Sequence, residues 1–178
     1  MSVSDSRRRD DKRRVLCLML EQLGDCFAFQ LDAEPSDDSF RDVLQTTWRE
    51  LRDDDGLIHD QHSVFGKPRF TLTAHGWLRA MMWSGEVDSA ETRERSTALA
   101  KALKATVKGR ASHYDSLVSL RDLASASSLP QGWVCNAIEA RLLSVVFPND
   151  RWDAAYEKRM IRVSPTIGLN HLFEGDEV

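Results

Sequence analysis

His59 and His62 stand three residues apart with Asp60 between them, and His75 follows further on. Two imidazoles and a carboxylate are acceptable zinc ligands. The run around the first pair reads as strand or loop, where a three-residue step sends side chains to opposite faces, and no further ligand has a matching spacing. These histidines are expected at the surface, with no metal site. The three cysteines, Cys17, Cys26 and Cys135, are odd in number and lack a metal-ligand spacing, which fits reduced thiols. Cys17 and Cys26 flank an apolar helix end and read as core; a thiol nucleophile needs an arranged base, and none is identifiable. There is no phosphate-cradling glycine loop, nucleophile elbow or dinucleotide fingerprint. Carboxylates crowd residues 32–60, but abundance without a cleft does not make an acid–base pair. The chain is expected not to be an enzyme, with no catalytic residues and no cofactor.

The residues that remain as candidates are charged, and their distribution is uneven. Net charge is −4 over 178 residues. Residues 1–14 carry six basic against three acidic groups, whereas residues 15–62 carry three basic against twelve acidic. Residues 63–85 then hold Lys67, Arg69 and Arg79 and no acid. A polyanion would have to meet a local basic surface, because the molecule as a whole does not attract it. With 42% hydrophobic and 29% charged residues the composition is that of a globular protein, and no apolar run approaches the ~20 residues that span a bilayer. A soluble, cytoplasmic protein without a secretory leader is expected.

The elements that must carry these charges follow from periodicity. Residues 1–9 are expected to be a flexible basic tail. From Asp10 to Leu23 the apolar Val15, Leu16, Met19, Leu20 and Leu23 recur at helical steps. A loop with Pro35 separates this helix from a second stripe, Phe40, Val43, Leu44, Thr47, Trp48 and Leu51, with Asp37, Asp38 or Ser39 available as its cap and an end near Asp53 to Asp55. After Gly56 the period falls to two. Leu57 and Ile58 begin one strand, Gly66 and Pro68 mark a turn, and Phe70 to Leu72 make another. Thr73 then caps a helix carrying Trp77, Leu78, Met81 and Met82, which Gly85 closes. Asp88 with Glu91 fits a capping box for a long helix to about Lys108. Its narrow stripe of Leu99, Leu103 and Val107 suits one partner helix, hence an expected homodimer through residues 88–108.

A boundary is expected over residues 110–116, giving a first domain at 10–109 and a second unit at 110–178 that ends in an acidic tail. There, Leu117, Leu120, Leu123 and Ala124 read as a short helix. Ser128 caps a second helix that carries Val134, Ile138, Leu142 and Val145 inward, so the unit resembles a helix-turn-helix. Residues 159–167 read as an edge strand or hairpin interrupted by Pro165. No internal repeat is convincing, although both halves read helix, helix, strand. Trp48, Trp77 and Trp133 fall on apolar stripes and are expected in the core, while Trp83 and Trp152 lie near element ends.

The segment from Phe40 to Ala80 carries a resemblance. Trp48-Arg49-Glu50-Leu51, an acidic turn, Gly56-Leu57-Ile58, a basic loop, and then Phe70-Thr71-Leu72-Thr73-Ala74-His75-Gly76-Trp77 are similar to the winged-helix pattern, in which a recognition helix runs into a wing and a Leu-Thr-x-x-Gly step joins strand to helix. The resemblance covers about forty residues and implies a mainly α fold with a small β-wing, a winged-helix-like N-terminal unit followed by the helix-turn-helix-like C-terminal one. It also implies a transcriptional regulator binding double-stranded DNA. Arg41, Gln45, Arg49 and Arg52 would then face the major groove from the helix, and Lys67 and Arg69 would reach phosphate from the wing. Two readings compete with this. The six residues are ordinary solvated surface, or the same scaffold is an acidic module that binds a basic protein partner, such as a nucleic-acid-processing complex, through Asp53 to Asp55 and their neighbours.

Overall fold

Residues 3–61, 66–108, 116–143, 146–148 and 160–163 are described by the computed structural model. The chain divides into two units, Met1–Asp88 and Ser89–Val178. The boundary expected after residue 109 therefore moves to the Asp88/Ser89 junction, and the helix expected to close the first unit opens the second. Most of the described residues are helical.

In the first unit, helix α1 spans Val3–Leu23. It takes in most of the basic stretch expected to be a tail, because arginine and lysine are good helix formers and Asp5 in the first turn complements the helix dipole. Val15, Leu16, Met19, Leu20 and Leu23 are buried as their spacing requires, and α1 packs chiefly on α3 (Ala74–Ser84), which buries Trp77, Ala80 and Met81.

The single helix expected from Phe40 onward is broken. A 3₁₀ turn at Asp38–Phe40 is followed by helix α2, Gln45–Arg49, whose N-cap Leu44 is extended and makes no side-chain cap. None of the expected caps, Asp37, Asp38 or Ser39, serves α2. The aromatic core explains the break. Phe40 packs edge-on against Trp48 at 5.0 Å, whereas residues eight apart in one helix are ~12 Å apart along the axis, so the chain must turn between them. Trp48 in turn stacks on Phe70 at 5.0 Å. Beyond Arg49 the helix widens into a π turn, Glu50–Asp54, closed by the Asp55 N–H donating to the Glu50 carbonyl at 2.9 Å. Gly56, at φ 61°, then reverses the chain, a left-handed conformation glycine adopts without penalty.

Strands β1 (Ile58–Gln61) and β2 (Arg69–Leu72) pair antiparallel, Ile58 opposite Leu72 and Gln61 opposite Arg69. On the other side of β2, Ala33 forms a single bridge with Phe70 through two 2.9 Å hydrogen bonds. The order across this small sheet is thus Ala33, β2, β1.

In the second unit, α4 covers Ala90–Lys108. Its cap is Ser89, whose hydroxyl accepts the Thr92 N–H at 3.1 Å; the expected Asp88 instead ends a 3₁₀ turn, Glu86–Asp88. Leu99 and Leu103 are fully buried and α4 packs on α5, while the side chain of Val107, the third member of the stripe, lies outside the described ones. Leu117 lies in strand β3, Ser116–Ser119, and α5 begins only at Leu120, capped by the Ser119 hydroxyl, and runs to Ser127. Ser128 takes the left-handed conformation that ends α5 rather than capping the next helix. Helix α6, Gln131–Glu139, follows after a three-residue turn that ends in Pro130, and buries Trp133, Val134, Ala137 and Ile138. Strands β4 (Val146–Pro148) and β5 (Met160–Val163) complete an antiparallel sheet of order β3, β5, β4. Val145, Trp152, Pro165 and the acidic tail lie outside the described residues.

The two units share one plan: a helix, an extended segment, two helical segments, and two strands of which the last sits between the others. The sequence hid this because the extended segment of the first unit is one bridging residue, Ala33, where that of the second is a full strand.

Candidate interaction face of the helix and hairpin

Three residues lock the hairpin to the elements on either side. The Leu57 carbonyl accepts both the Thr73 N–H and the Thr73 hydroxyl, each at 3.1 Å, while that hydroxyl accepts the Gly76 N–H at 2.9 Å and so caps α3. A Cβ on residue 76 would stand 1.9 Å from the Leu57 oxygen. The Leu-Thr-x-x-Gly step therefore has a physical meaning here: threonine ends the strand, caps the helix and ties back to the chain leaving the π turn, and only glycine leaves room for that approach.

Mounted on this joint, the six residues singled out from sequence fall into three groups. Gln45 and Arg49 are the first and last residues of α2, both exposed and one helical turn apart. Arg49 has no ion-pair partner among the described residues. Arg52 lies in the π turn, where its guanidinium holds Asp53 through two hydrogen bonds of 2.6 and 3.0 Å and reaches Asp60 on β1 at 2.7 Å. These bonds hold the Asp53 carboxyl below its usual range and push the guanidinium still further from deprotonation. Arg41 lies off the helix, beyond the 3₁₀ turn, and pairs with Asp38.

Lys67 and Arg69 converge on the segment around Ala33. Lys67 donates to Glu34 at 2.8 Å, and Arg69 pairs with Asp32 and lies 3.8 Å from Glu34. The Lys67 ammonium and then the Ser36 hydroxyl hold the Glu34 carboxyl below the ordinary range. Asp32 and Glu34 were not singled out from sequence as partners of the wing. Their signal was the two-residue spacing around Ala33, which puts both carboxylates on the same side of an extended segment. Of the five cations expected to meet DNA, four are thus tied to carboxylates of the chain itself. Over residues 32–69 there are ten carboxylates and five cations, so the surplus is negative.

Compared with known proteins, the chain matches no family model, no curated protein and no solved structure.

The basic residues of α1 also meet the acidic turn. Lys12 lies 2.8 Å from Asp55 and 3.2 Å from Glu50, and Arg8 is 3.8 Å from Glu50. Burial works against the Lys12 ammonium, but its bonds to Asp55 and Glu50 prevail and keep it above its ordinary value. His59 and His75 are exposed, and among the described residues no three His, Cys, Asp or Glu side chains converge as a metal site would require. Cys135 is buried and Cys26 exposed; burial pushes the half-buried Cys17 thiol up, away from the reactive thiolate. No helix among the described residues is long and apolar enough to cross a membrane.

Proposed function

We propose that this chain is a protein-interaction module of the winged-helix type, whose α2 and hairpin face docks a basic partner. The neutralised wing carries this reading. Lys67 and Arg69 would have to leave Glu34 and Asp32 before they could touch phosphate, and the carboxylates that remain would repel it. The same surplus attracts lysine and arginine and speeds their encounter with the face. The shared plan of the two units, each a helix, an extended segment, a helical pair and a two-stranded hairpin, supports a winged-helix scaffold in both. In the second unit α6 buries seven of its nine residues, Gly132 to Ile138, which argues against its use as a groove-reading helix.

The deciding experiment compares two probes by fluorescence anisotropy at ~50 mM salt, where electrostatic affinity is strongest: a random-sequence DNA duplex and a lysine- and arginine-rich peptide. Capture of the peptide and not the duplex is expected, with loss when Asp53, Asp54 and Asp60 are changed to Asn. Duplex binding with a steep salt slope would overturn the reading.

One observation favours DNA as the second reading. Arg49 and Gln45 are exposed on one face of α2, and arginine and glutamine are the side chains suited to guanine and adenine edges. If DNA is the partner, Arg49→Ala abolishes the duplex signal and leaves the peptide signal unchanged.

A further inference from the structure

The N-terminal half of α1, the C-terminal half of α3, the acidic turn and Leu57 line an open cleft of about 490 Å³, within the size range of small-molecule sites. Its charges are not equivalent. Lys12 is committed to Glu50 and Asp55, and Arg8 leans on Glu50. Arg9 and Arg79, by contrast, have no carboxylate partner among the described residues, and the Arg79 guanidinium lies over the half-buried Trp83 ring, 5.6 Å from its centre. Residues 9 and 12 on α1 and 79 and 83 on α3 are one helical turn apart within each pair, so two helices rather than a loop set the spacing of these groups.

We infer that this cleft binds a nucleoside phosphate, with Arg9 and Arg79 on the phosphate and the base stacked at Trp83. Unpaired guanidinium groups are forks suited to phosphate oxygens. A planar base stacks on an indole or a guanidinium, and Arg79 lying over Trp83 presents such a stacked pair for a base to extend. Inorganic phosphate would use only half of this arrangement. Two unpaired guanidinium groups beside a single indole suit one nucleotide or the 5′ end of a strand. Glu50 and Asp55 also line the cleft and disfavour further negative charge, so a monophosphate is preferred to a triphosphate. The inference is independent of the docking role proposed above, since Asp53, Asp54 and Asp60 take no part in the cleft.

The test is calorimetric titration of the full chain with the four common nucleoside monophosphates, adenosine, inorganic phosphate and a 5′-phosphorylated tetranucleotide. A monophosphate is expected to bind at least ~10-fold more tightly than adenosine or phosphate, since each of those lacks one half of the recognition. Arg9→Gln and Arg79→Gln should each weaken it ~10-fold, as expected for loss of a charge-assisted contact. Trp83→Ala should weaken it similarly, and Trp83→Phe should restore it, which separates stacking from a merely structural role. Tighter capture of the tetranucleotide than of free monophosphate assigns the site to strand ends; equal or weaker capture assigns it to free nucleotides. No heat at ~1 mM monophosphate, equal affinity for inorganic phosphate, or indifference to Trp83→Ala with a native circular dichroism spectrum overturns the inference.

Discussion

Gly76 meets the carbonyl of Leu57 so closely that an added Cβ would stand 1.9 Å from the oxygen, with the Leu57 carbonyl carbon only 2.9 Å away. Both neighbours are backbone, so no side-chain rotation relieves the clash. Gly76→Ala is expected to force the hairpin away from α3 and to destabilise the first unit by ~1–3 kcal/mol, despite alanine's higher helix propensity. Chemical denaturation followed by circular dichroism measures this, and an unchanged midpoint would refute the close approach.

Thr73 joins the same contact from the other side. Thr73→Ala removes the cap of α3 and the second bond to Leu57, at a cost of about 1 kcal/mol, and Thr73→Ser should recover most of it. If serine proves as poor as alanine, the methyl group rather than the hydroxyl holds the joint.

Trp48 lies between Phe40 and Phe70 and is 4% exposed. Trp48→Ala should cost ~3–5 kcal/mol and unfold the first unit at moderate temperature, while Trp48→Phe keeps the stack and loses much less. Near-ultraviolet circular dichroism together with thermal melting separates the two outcomes.

The Glu34 and Lys67 pair sets a pH dependence. Because the folded carboxyl is held below its unfolded value, its stabilising contribution is present above the ordinary carboxylate range and is lost as pH falls through the lowered folded value. Lys67→Met should move the Glu34 titration, followed by carbon-detected NMR, upward toward the ordinary range. A midpoint unaffected by Lys67→Met would mean that the pair does not persist in solution.

Charge neutralisation can be undone. Changing Asp32 to Asn and Glu34 to Gln frees Arg69 and Lys67, and if those carboxylates suppress nucleic-acid binding, the double variant gains duplex affinity with a log–log salt slope steeper by about 2. A duplex signal that stays flat in the variant means the rest of the acidic face is sufficient to repel phosphate.

The legible parts were those fixed by neighbours in the chain. Thr73 as a cap, Gly85 as a stop and the α1 stripe all depend on contacts within a few residues, and the structure places them as the spacing does. The Phe40 stripe shows the limit. Phe40, Thr47, Trp48 and Leu51 are buried, but Leu44 is 48% exposed, and the backbone between is a 3₁₀ turn and an extended Leu44, because Phe40 and Trp48 must meet side by side. Arg41 accordingly left the helix face that its four-residue spacing from Gln45 had assigned to it.

By itself the sequence determined the β1–β2 hairpin, the α1 stripe and α3, the close-packed glycine step, and the surplus of negative charge, all of which are local or additive properties. Only the tertiary structure decided which charges remain available. Ala33 pairing with Phe70 carries Asp32 and Glu34 to the wing across more than thirty residues, and the π turn brings Arg52 within reach of Asp60. Whether a cation can serve a partner depends on what lies a few ångströms away, because electrostatic attraction and hydrogen bonding act through space and not along the chain.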